Sequence, residues 1–285
     1  MSARLLLCTD MDRTVIPNGM QAEHPNARRR FRKFCQSENV CLVYVTGRHR
    51  QLVEKAIRTY SLPQPDYIIS DVGTKIFQYK DKRWQEVKSW CDEIAKDWNG
   101  QSHSDLKALL SDIKDLQLQE FSKQNTHKLS FYLPLYLNKD EVIAQVHNHL
   151  QKNGINASVM WSIDELTNVG LLDVLPEHAT KLHAIEFLQS RLGYQDTEVV
   201  FAGDSGNDMP VLASPIQSVV VNNASDEIKA MAQQLVAENG HPQSLYIAVD
   251  PGPLGMNGNY SAGVLQGVWH YAEGFRNQLE SGDNT

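Results

Sequence analysis

The segment Val199-Val200-Phe201-Ala202-Gly203-Asp204-Ser205-Gly206-Asn207-Asp208 decides the fold of this chain. Its apolar residues predict a short buried strand, and the glycines and acids that follow predict the end of that strand. In an open sheet of parallel strands, ligands bind at the carboxyl ends of the strands, where Asp204 and Asp208 would lie. Carboxylate oxygens among glycines, which let the backbone approach closely, suit a hard cation. By itself the segment is also consistent with a simple polar turn.

The amino-terminal segment repeats this arrangement of an apolar run followed by acids. Leu5–Thr9 predicts a buried strand, and Asp10-Met11-Asp12-Arg13-Thr14 follows it directly. Two carboxylates separated by one residue at the end of a strand can both reach the same crevice. Two aspartates alone are explained equally well by a polar turn, so the interpretation depends on the rest of the chain.

Two further segments add groups that are suited to binding phosphate. Thr46-Gly47-Arg48 follows the predicted strand Val40–Val45 and precedes a helix, and a hydroxyl with exposed amides at such a turn is a natural phosphate site. Lys181 begins a predicted helix, where a positive charge is unfavourable unless an anion is bound nearby. An N-cap threonine and a surface lysine are the structural alternatives. Because four segments of this kind occur in one chain, we predict that they form one binding crevice.

The spacing of apolar runs predicts the fold class. Short apolar strands alternate with amphipathic helices at both ends of the chain, which indicates a parallel sheet covered by helices on both faces. We therefore predict an α/β fold with a doubly wound, mainly parallel, Rossmann-like core sheet. The predicted core strands are Leu5–Thr9, Val40–Val45, Tyr67–Ile69, Val199–Ala202 and Val219–Val221, and the predicted core helices cover 25–38, Gln51–Tyr60 and Lys181–Leu192.

The middle of the chain has a different pattern, which predicts an inserted α+β domain. Residues 1–80 and 176–285 are expected to form the core, and residues 81–175 the insertion. Within the core, residues 250–263 are rich in glycine and proline and predict a loop, and the tail after Gly274 is predicted to fray. The elements predicted for the insertion are a strand over Leu129–Leu133, a helix over 139–152, and a hairpin of Val159–Ile163 and Val169–Val174.

Composition and charge exclude several classes of protein. Of the 285 residues, 41% are hydrophobic and 21% are charged, which is typical of globular rather than disordered or collagen-like chains. The formal net charge of −7 argues against a nucleic-acid-binding protein, which needs a basic surface. The four cysteines form no C-x-x-C pair, and no apolar stretch is long enough for a signal peptide or a membrane span. We expect a cytoplasmic protein that binds neither nucleic acid nor membrane.

The four polar motifs together resemble those of the haloacid dehalogenase superfamily of phosphatases. The aspartate pair at residues 10 and 12 resembles the first motif, Thr46-Gly47-Arg48 the second, Lys181 the third, and the Gly203–Asp208 segment the fourth. The largest gap between motifs separates the second from the third, as in members with a type IIB cap. Among these the chain is most similar to sucrose-phosphate phosphatases, on segments that begin at Val43, Lys128, Leu172 and Gly203.

The resemblance implies a mechanism and assigns residues to it. Asp10 would attack phosphorus to form an aspartyl-phosphate, and Asp12 would protonate the leaving sugar oxygen and then activate water. Mg²⁺ would be needed as a cofactor, because a phosphate beside carboxylates is repelled unless a cation lies between them. The implied ligands of Mg²⁺ are Asp10, the backbone carbonyl of Asp12, Asp204 and Asp208, and those of the phosphate are Thr46, the Gly47 amide, Lys181 and Asn207.

The implied substrate is a small-molecule sugar phosphate, with sucrose 6-phosphate as the first expectation. Phosphates of the mannosylfructose, mannosylglycerate or glucosylglycerol type are alternatives, as are a sugar phosphomutase and a non-catalytic partner of a glycosyltransferase. We expect a monomer, with association with a glycosyltransferase as a further option. The inserted domain is expected to recognise the sugar. The candidate substrate residues, each of which also has a structural explanation, are Arg48, His127, Lys128, Ser130, Tyr132 and Asp173.

Overall fold

The structure is a computed structural model, and it describes residues 3–164 and 167–281. The chain divides into two compact units, the first formed by Met1–Glu86 with Lys181–Thr285 and the second by Val87–Thr180. The strands are β1 (Leu5–Thr9), β2 (Val40–Val45), β3 (Tyr67–Ser70), β4 (Lys75–Lys80), β5 (Arg83–Glu86), β6 (Gln117–Leu118), β7 (Leu129–Leu133), β8 (Ala157–Asp164), β9 (Val169–Pro176), β10 (Val199–Gly203), β11 (Gln217–Val220) and β12 (Leu245–Ile247).

The helices are distributed over both units. None of the described helices is both long and apolar enough to span a bilayer. They are α1 (Ala27–Cys35), α2 (Arg50–Tyr60), α3 (Lys88–Ala95), α4 (His103–Leu109), α5 (Lys139–Lys152), α6 (Lys181–Leu192), α7 (Met209–Leu212), α8 (Asp226–Glu238), α9 (Ser261–Tyr271) and α10 (Arg276–Glu280).

The first unit contains an eight-stranded sheet in the order β12-β11-β10-β1-β2-β3-β4-β5. The strands from β12 to β3 are parallel, and β4 and β5 are added antiparallel at one edge. Leu6 of β1 lies opposite Val199 on one side and Cys41 on the other. Every residue of β1 is buried, as expected for a strand covered on both faces. The predicted α/β class and mainly parallel core sheet are therefore confirmed.

Helix α9 packs unusually close to this sheet. Its first eight residues are all buried. A Cβ atom on Gly263 would lie 2.9 Å from Cγ1 of Val221, and one on Gly267 would lie 2.5 Å from Cγ1 of Val219. Only glycine therefore allows the helix backbone to approach β11 this closely. The loop predicted over 250–263 is wrong in its last residues, because α9 begins at Ser261.

The chain after Gly274 forms α10, so the predicted fraying is wrong for the described part of the tail. Phe275 and Leu279 are buried, and the ring of Phe275 meets that of Phe34 edge-on at 5.6 Å. Nη2 of Arg30, on α1, donates to the carbonyl of Leu279 at 2.7 Å. These contacts come from distant residues, so local composition could not indicate them. Residues 282–285 lie outside the described residues.

The second unit contains an antiparallel sheet in the order β6-β7-β9-β8, with α4 and α5 packed on it. The predicted hairpin is present, since β8 and β9 pair from Ala157 opposite Pro176 to Asp164 opposite Val169. A hydrophobic core separate from that of the first unit stabilises this unit. Its members include Trp98, Leu106, Leu129, Phe131, Val146 and Leu172.

The borders between the units differ from the expected borders at 80/81 and 175/176. Strand β5 pairs with β4 in the sheet of the first unit, so that unit extends to Glu86. Strand β9 extends to Pro176, and the second unit ends at Thr180. Strand pairing, rather than a shift in composition, decides these borders. That the second unit recognises the substrate stays a prediction.

Candidate active site

Asp10 lies at the carboxyl end of β1, inside the sheet of the first unit. Its backbone N–H donates to the carbonyl of Ala202 on the neighbouring β10 at 2.8 Å. The residue is buried. Because both strands end here, the segments that follow β1 and β10 are brought to one edge of the sheet, as expected for parallel strands.

Lys181, the first residue of α6, lies at the centre of this group. Its buried ammonium donates to Oδ1 of Asp10 at 2.8 Å, to Oδ1 of Asp208 at 2.7 Å and to Oδ1 of Asn207 at 3.0 Å. An ammonium has three protons to donate, so these partners satisfy it fully. The structure thus joins residues from three separate segments of the sequence through one side chain.

Asp10, Asp204 and Asp208 form a buried acidic cluster. One carboxylate oxygen of each lies within 4.8 Å of those of the others. Oγ1 of Thr14 donates to Oδ1 of Asp204 at 3.1 Å. The backbone N–H groups of Asp204 and Ser205 each donate to Oδ2 of Asp208 at 3.1 Å. These hydrogen bonds fix the orientation of two of the three carboxylates.

Glycine is needed at the end of β10 for this arrangement. A Cβ atom on Gly203 would lie 2.7 Å from Cγ and Oδ2 of Asp208. The carboxylate of Asp208 therefore occupies the space that any other side chain at position 203 would take. This close contact is the physical reason why a glycine follows the apolar residues Val199–Ala202.

Burial and neighbouring charges shift the pKa values of the cluster. Burial raises the pKa of Asp10 to about 7, against the opposing charge of Lys181. Burial and the charge of Asp208 raise the pKa of Asp204 to about 6. Burial acts to lower the pKa of Lys181, but the carboxylates of Asp10 and Asp208 outweigh it and raise that pKa above its usual value. Among the described residues, the three carboxyl groups outnumber the two cations that contact them, Lys181 and Arg13, and this set of hard oxygen donors fits a divalent cation.

The carboxylate of Asp12 is held separately from the cluster. Nε of Arg48 donates to its Oδ2 and Nη2 to its Oδ1, both at 2.6 Å, and Nδ2 of Asn18 donates to Oδ1 at 2.8 Å. Burial acts to raise the pKa of Asp12, but the hydrogen bonds and charge of Arg48 and the hydrogen bond of Asn18 lower it overall. Asp12 is therefore an ionised carboxylate fixed by three hydrogen bonds. The role of Arg48 as a substrate residue stays a prediction.

The other predicted phosphate ligands lie near strand ends of the same sheet. Thr46 follows β2, which pairs with β1. Thr46 is buried, its N–H donates to the carbonyl of Ile69 at 2.9 Å, and its Oγ1 accepts the N–H of Arg48 at 3.2 Å. Gly47 is exposed, and Asn207 accepts from Lys181 in the loop after β10. Their binding of phosphate stays a prediction.

Two of the predicted substrate residues of the second unit, Lys128 and Ser130, contact a third, Asp173 on β9. Nζ of Lys128 lies 3.1 Å from Oδ2 of Asp173, and Oγ of Ser130 donates to Oδ1 at 2.5 Å. Ser130 and Asp173 are direct partners across β7 and β9. The ring of His127 meets that of Trp98 edge-on at 5.5 Å. These contacts give each side chain a structural role within the second unit, and a role in sugar binding stays a prediction.

Two asparagines that the motifs do not include hold the loop after β1. Oδ1 of Asn18 accepts the N–H of Arg13 at 2.8 Å, and Nδ2 of Asn223 donates to the carbonyl of Arg13 at 2.7 Å. Arg13 has a left-handed φ of 57°, and its Nε lies 3.2 Å from Oδ2 of Asp204. The turn Pro17-Asn18-Gly19 is the signal that could have indicated Asn18. Asn223 has no such signal, because its partner is 210 residues away.

Comparisons with known proteins agree with this geometry. A family model described as sucrose-6F-phosphate phosphohydrolase matches residues 3–272. A HAD-like (haloacid dehalogenase-like) hydrolase of Nitrosococcus oceani is 47% identical over 99% of this chain and 76% of its own length. A mannosylfructose-phosphate phosphatase of Agrobacterium fabrum is 29% identical over 80% of this chain and 87% of its own length. The chain spans 52% to 60% of the length of the plant sucrose-phosphatases that it matches.

A solved structure shows the same fold over nearly the whole chain. The sucrose-phosphatase of Synechocystis sp. PCC6803, in complex with sucrose and phosphate, aligns with a TM-score of 0.69 and 24% identity over 95% of this chain and 98% of its own. The family model over residues 3–272 confirms the resemblance drawn from the four motifs. The chain belongs to the sucrose-6F-phosphate phosphohydrolase family of the haloacid dehalogenase superfamily, and it is a phosphoric monoester hydrolase.

Proposed function

We propose that this protein is a Mg²⁺-dependent phosphatase that hydrolyses sucrose 6-phosphate through an aspartyl-phosphate on Asp10. The observation that carries the proposal is the 2.8 Å contact between Nζ of Lys181 and Oδ1 of Asp10, beside two further buried carboxylates. Lys181 favours the ionised form of this buried carboxyl, and in that form a carboxylate at the end of a strand is a suitable nucleophile for phosphorus. Family membership supports the class of substrate.

Lys181 favours the reactive state of the nucleophile. Burial favours the protonated form of Asp10, and the charge of Lys181 and its hydrogen bond favour the ionised form. Asp208 and Asn207 fix the same ammonium from other directions. The ammonium is thereby held where it would also offset the charge of a phosphate oxygen. Phosphoryl transfer depends mainly on such positioning and neutralisation of charge.

The carboxylates of Asp10, Asp204 and Asp208 would hold Mg²⁺, with the backbone carbonyl of Asp12 as a further ligand. When bound, the ion supplies positive charge to the phosphate oxygens and to the attacking carboxylate. The need is electrostatic, because a phosphate charge and a carboxylate about 4 Å apart repel by ~1 kcal/mol even in water, and by more in a buried site.

Asp12 would act as the acid and then as the base. Asp12 takes up a proton when the dianionic phosphate binds beside it, since further negative charge nearby favours the protonated carboxyl. As the bond between Asp10 and phosphorus forms, the bond from phosphorus to the sugar oxygen breaks, and Asp12 gives that oxygen this proton. Asp12 then takes a proton from the water that attacks the aspartyl-phosphate, which releases phosphate and restores Asp10. Thr46, Gly47, Lys181 and Asn207 would hold the phosphate oxygens that do not react.

A second substrate, mannosylfructose phosphate, is favoured by a specific comparison. The phosphatase named for it is 29% identical to this chain, whereas a plant sucrose-phosphatase is 25% identical and the Synechocystis sucrose-phosphatase 24%. Both substrates are phosphates of a disaccharide that contains fructose, so they require the same chemistry and differ in the sugar that is recognised.

A phosphate-release assay with Mg²⁺ tests the proposal. We expect kcat/KM for sucrose 6-phosphate to exceed that for mannosylfructose phosphate, glucose 6-phosphate and 4-nitrophenyl phosphate, and EDTA to abolish release. Equal efficiency on all four substrates would indicate a general phosphatase. An isomeric sugar phosphate in place of free phosphate would indicate a phosphomutase, and binding without turnover a non-catalytic partner.

A further inference from the structure

The side chain of Asp12, the proposed acid–base residue, must be held in one orientation by other groups. The side chain of Asp12 is 40% exposed. An exposed carboxylate normally samples several rotamers, whereas a proton donor must lie within hydrogen-bonding distance of the leaving oxygen. A misplacement of ~1 Å can cost about 10²-fold in rate. Some other group must therefore keep this carboxylate in one orientation.

Two side chains from different parts of the first unit hold the carboxylate. Arg48, which precedes α2, donates to both oxygens, and Asn18, in the loop after β1, donates to Oδ1 at 2.8 Å. Arg48 is also a predicted substrate residue, so its substitution would combine two effects. Asn18 is assigned no contact with substrate, phosphate or metal, which makes its effect on Asp12 separable.

The remaining polar groups of Asn18 fix the orientation of its amide. Oδ1 accepts the N–H of Arg13 at 2.8 Å, so the NH₂ group is the one that faces Asp12. The backbone N–H of Asn18 donates to the carbonyl of Ile16 at 2.9 Å, and the N–H of Ile16 donates to that of Met11 at 2.8 Å. Asn18 itself is exposed, so its substitution removes no core packing.

We propose that Asn18 is a positioning residue for the reaction, whose amide holds the carboxylate of Asp12 in the orientation needed for proton transfer. The inference rests on the proposed function, because it assumes that Asp12 is the acid. It implies an effect that depends on the leaving group. A sugar alkoxide must be protonated as it leaves, whereas 4-nitrophenolate is a stable anion that leaves without a proton.

The test compares kcat/KM for two phosphates in the presence of Mg²⁺. This ratio includes only the steps up to transfer of the phosphoryl group, so the later attack of water does not enter. We expect Asn18→Ala to lower kcat/KM for sucrose 6-phosphate by about 10- to 100-fold, and that for 4-nitrophenyl phosphate by less than about threefold. Glucose 6-phosphate serves as the sugar substrate if the wild-type protein does not hydrolyse sucrose 6-phosphate.

Two further variants test whether the loss of activity comes from the hydrogen bond between Asn18 and Asp12. Asn18→Asp keeps the acceptor for the N–H of Arg13 but replaces the donor to Asp12 with a carboxylate oxygen that repels it, so it should lose at least as much kcat/KM for sucrose 6-phosphate as Asn18→Ala. Met20→Ala changes a fully exposed side chain of the same loop and should leave both substrates unaffected. Thermal unfolding of each variant checks that the fold is kept.

In Asn18→Ala, equal losses on both substrates, or no loss on either, would overturn the positioning role of Asn18. Wild-type kcat/KM for sucrose 6-phosphate in Asn18→Asp would overturn it as well. A wild-type protein that releases phosphate from neither substrate would instead overturn the proposed function. The two failures are therefore distinct.

Discussion

One buried side chain, Lys181, sets the charge of its neighbours in the candidate site. Its ammonium contacts Asp10 and Asp208, and its charge opposes the burial that raises the pKa of Asp10. A protonated carboxyl is neither a good nucleophile nor a good ligand of a cation. The reactivity of Asp10 therefore depends on a residue from a distant segment of the sequence.

We expect Asp10→Asn to lose measurable turnover while keeping its fold. An amide has nearly the same shape as a carboxylate, but it is a poor nucleophile and a weaker ligand of Mg²⁺. Phosphate release and thermal unfolding provide the measurements. Asp12→Asn is the matched control, since we expect its rate of phosphate release to fall by about 10²–10⁴-fold while it still forms the aspartyl-phosphate on Asp10. Retention of more than a few per cent of activity by Asp10→Asn would contradict the mechanism.

The affinity for Mg²⁺ should increase with pH. Without metal, Asp10 has a pKa of about 7 and Asp204 one of about 6, both above the usual carboxyl value, so each loses its proton as the pH rises through that pKa. A cation binds the ionised forms and must displace these protons at low pH. Calorimetry in buffers of different ionisation enthalpy should find protons released on binding at about pH 6 and almost none at about pH 8. Equal affinity at both pH values would show that these carboxyl groups are not ligands.

Among the elements, α9 shows how tertiary packing can override local preference. Alanine is preferred to glycine within a helix by ~1 kcal/mol, so Gly263 and Gly267 are unfavourable for the helix itself. Both lie against Val219 or Val221 at distances that leave no room for a Cβ atom. Close packing on the sheet is therefore the reason for the glycines.

We expect Gly267→Ala to destabilise the protein despite the gain in helix propensity. Overpacking costs about 1–3 kcal/mol, which exceeds the ~1 kcal/mol that alanine contributes to the helix. Urea denaturation measures the decrease in the free energy of unfolding. Val219→Ala should also lower the free energy of unfolding by itself. The double variant, Gly267→Ala with Val219→Ala, should lose less of this free energy than the two single variants lose together, because the smaller side chain at position 219 makes room for the new methyl group. A stabilised Gly267→Ala would show that the helix can move away from β11 at no cost.

In the whole molecule, the two units have separate cores and separate proposed tasks. The residues proposed for phosphoryl transfer all belong to the first unit, and His127, Lys128 and Asp173 all belong to the second. A substitution in the second unit should therefore alter the choice of sugar and leave the chemistry unchanged. This division follows from the proposed function and has a direct test.

We expect Lys128→Ala to reduce kcat/KM for sucrose 6-phosphate and to leave that for 4-nitrophenyl phosphate nearly unchanged. The aryl phosphate has no sugar ring, so it gains no binding energy from groups that recognise one. The exposed Lys114 of the same unit provides a control for the loss of a positive charge, and Lys114→Ala should retain both activities. Equal losses on both substrates in Lys128→Ala would contradict a role in sugar recognition.

The sequence alone determined the fold class and the meeting of Asp10 with Asp204. Both aspartates follow short apolar runs, and parallel strands bring their carboxyl ends to one edge of a sheet whatever lies between them. A local pattern and one rule of topology were therefore sufficient. The hairpin of β8 and β9 was predictable for a similar reason, because its strands are close in the chain.

Only the tertiary structure decided how Asp12, Asn18 and Arg48 are joined, where α9 begins, and at which residues the chain passes from one unit to the other. The contact between Arg48 and Asp12 spans 36 residues and depends on the rotamers of both side chains. Similarly, α9 is buried because α1, β10 and β11 contact it, while the glycines and prolines of residues 250–263, which end in Gly263 of α9, predict a loop. Such features depend on interactions between distant residues, whose energies outweigh local preference and leave no periodic pattern in the sequence.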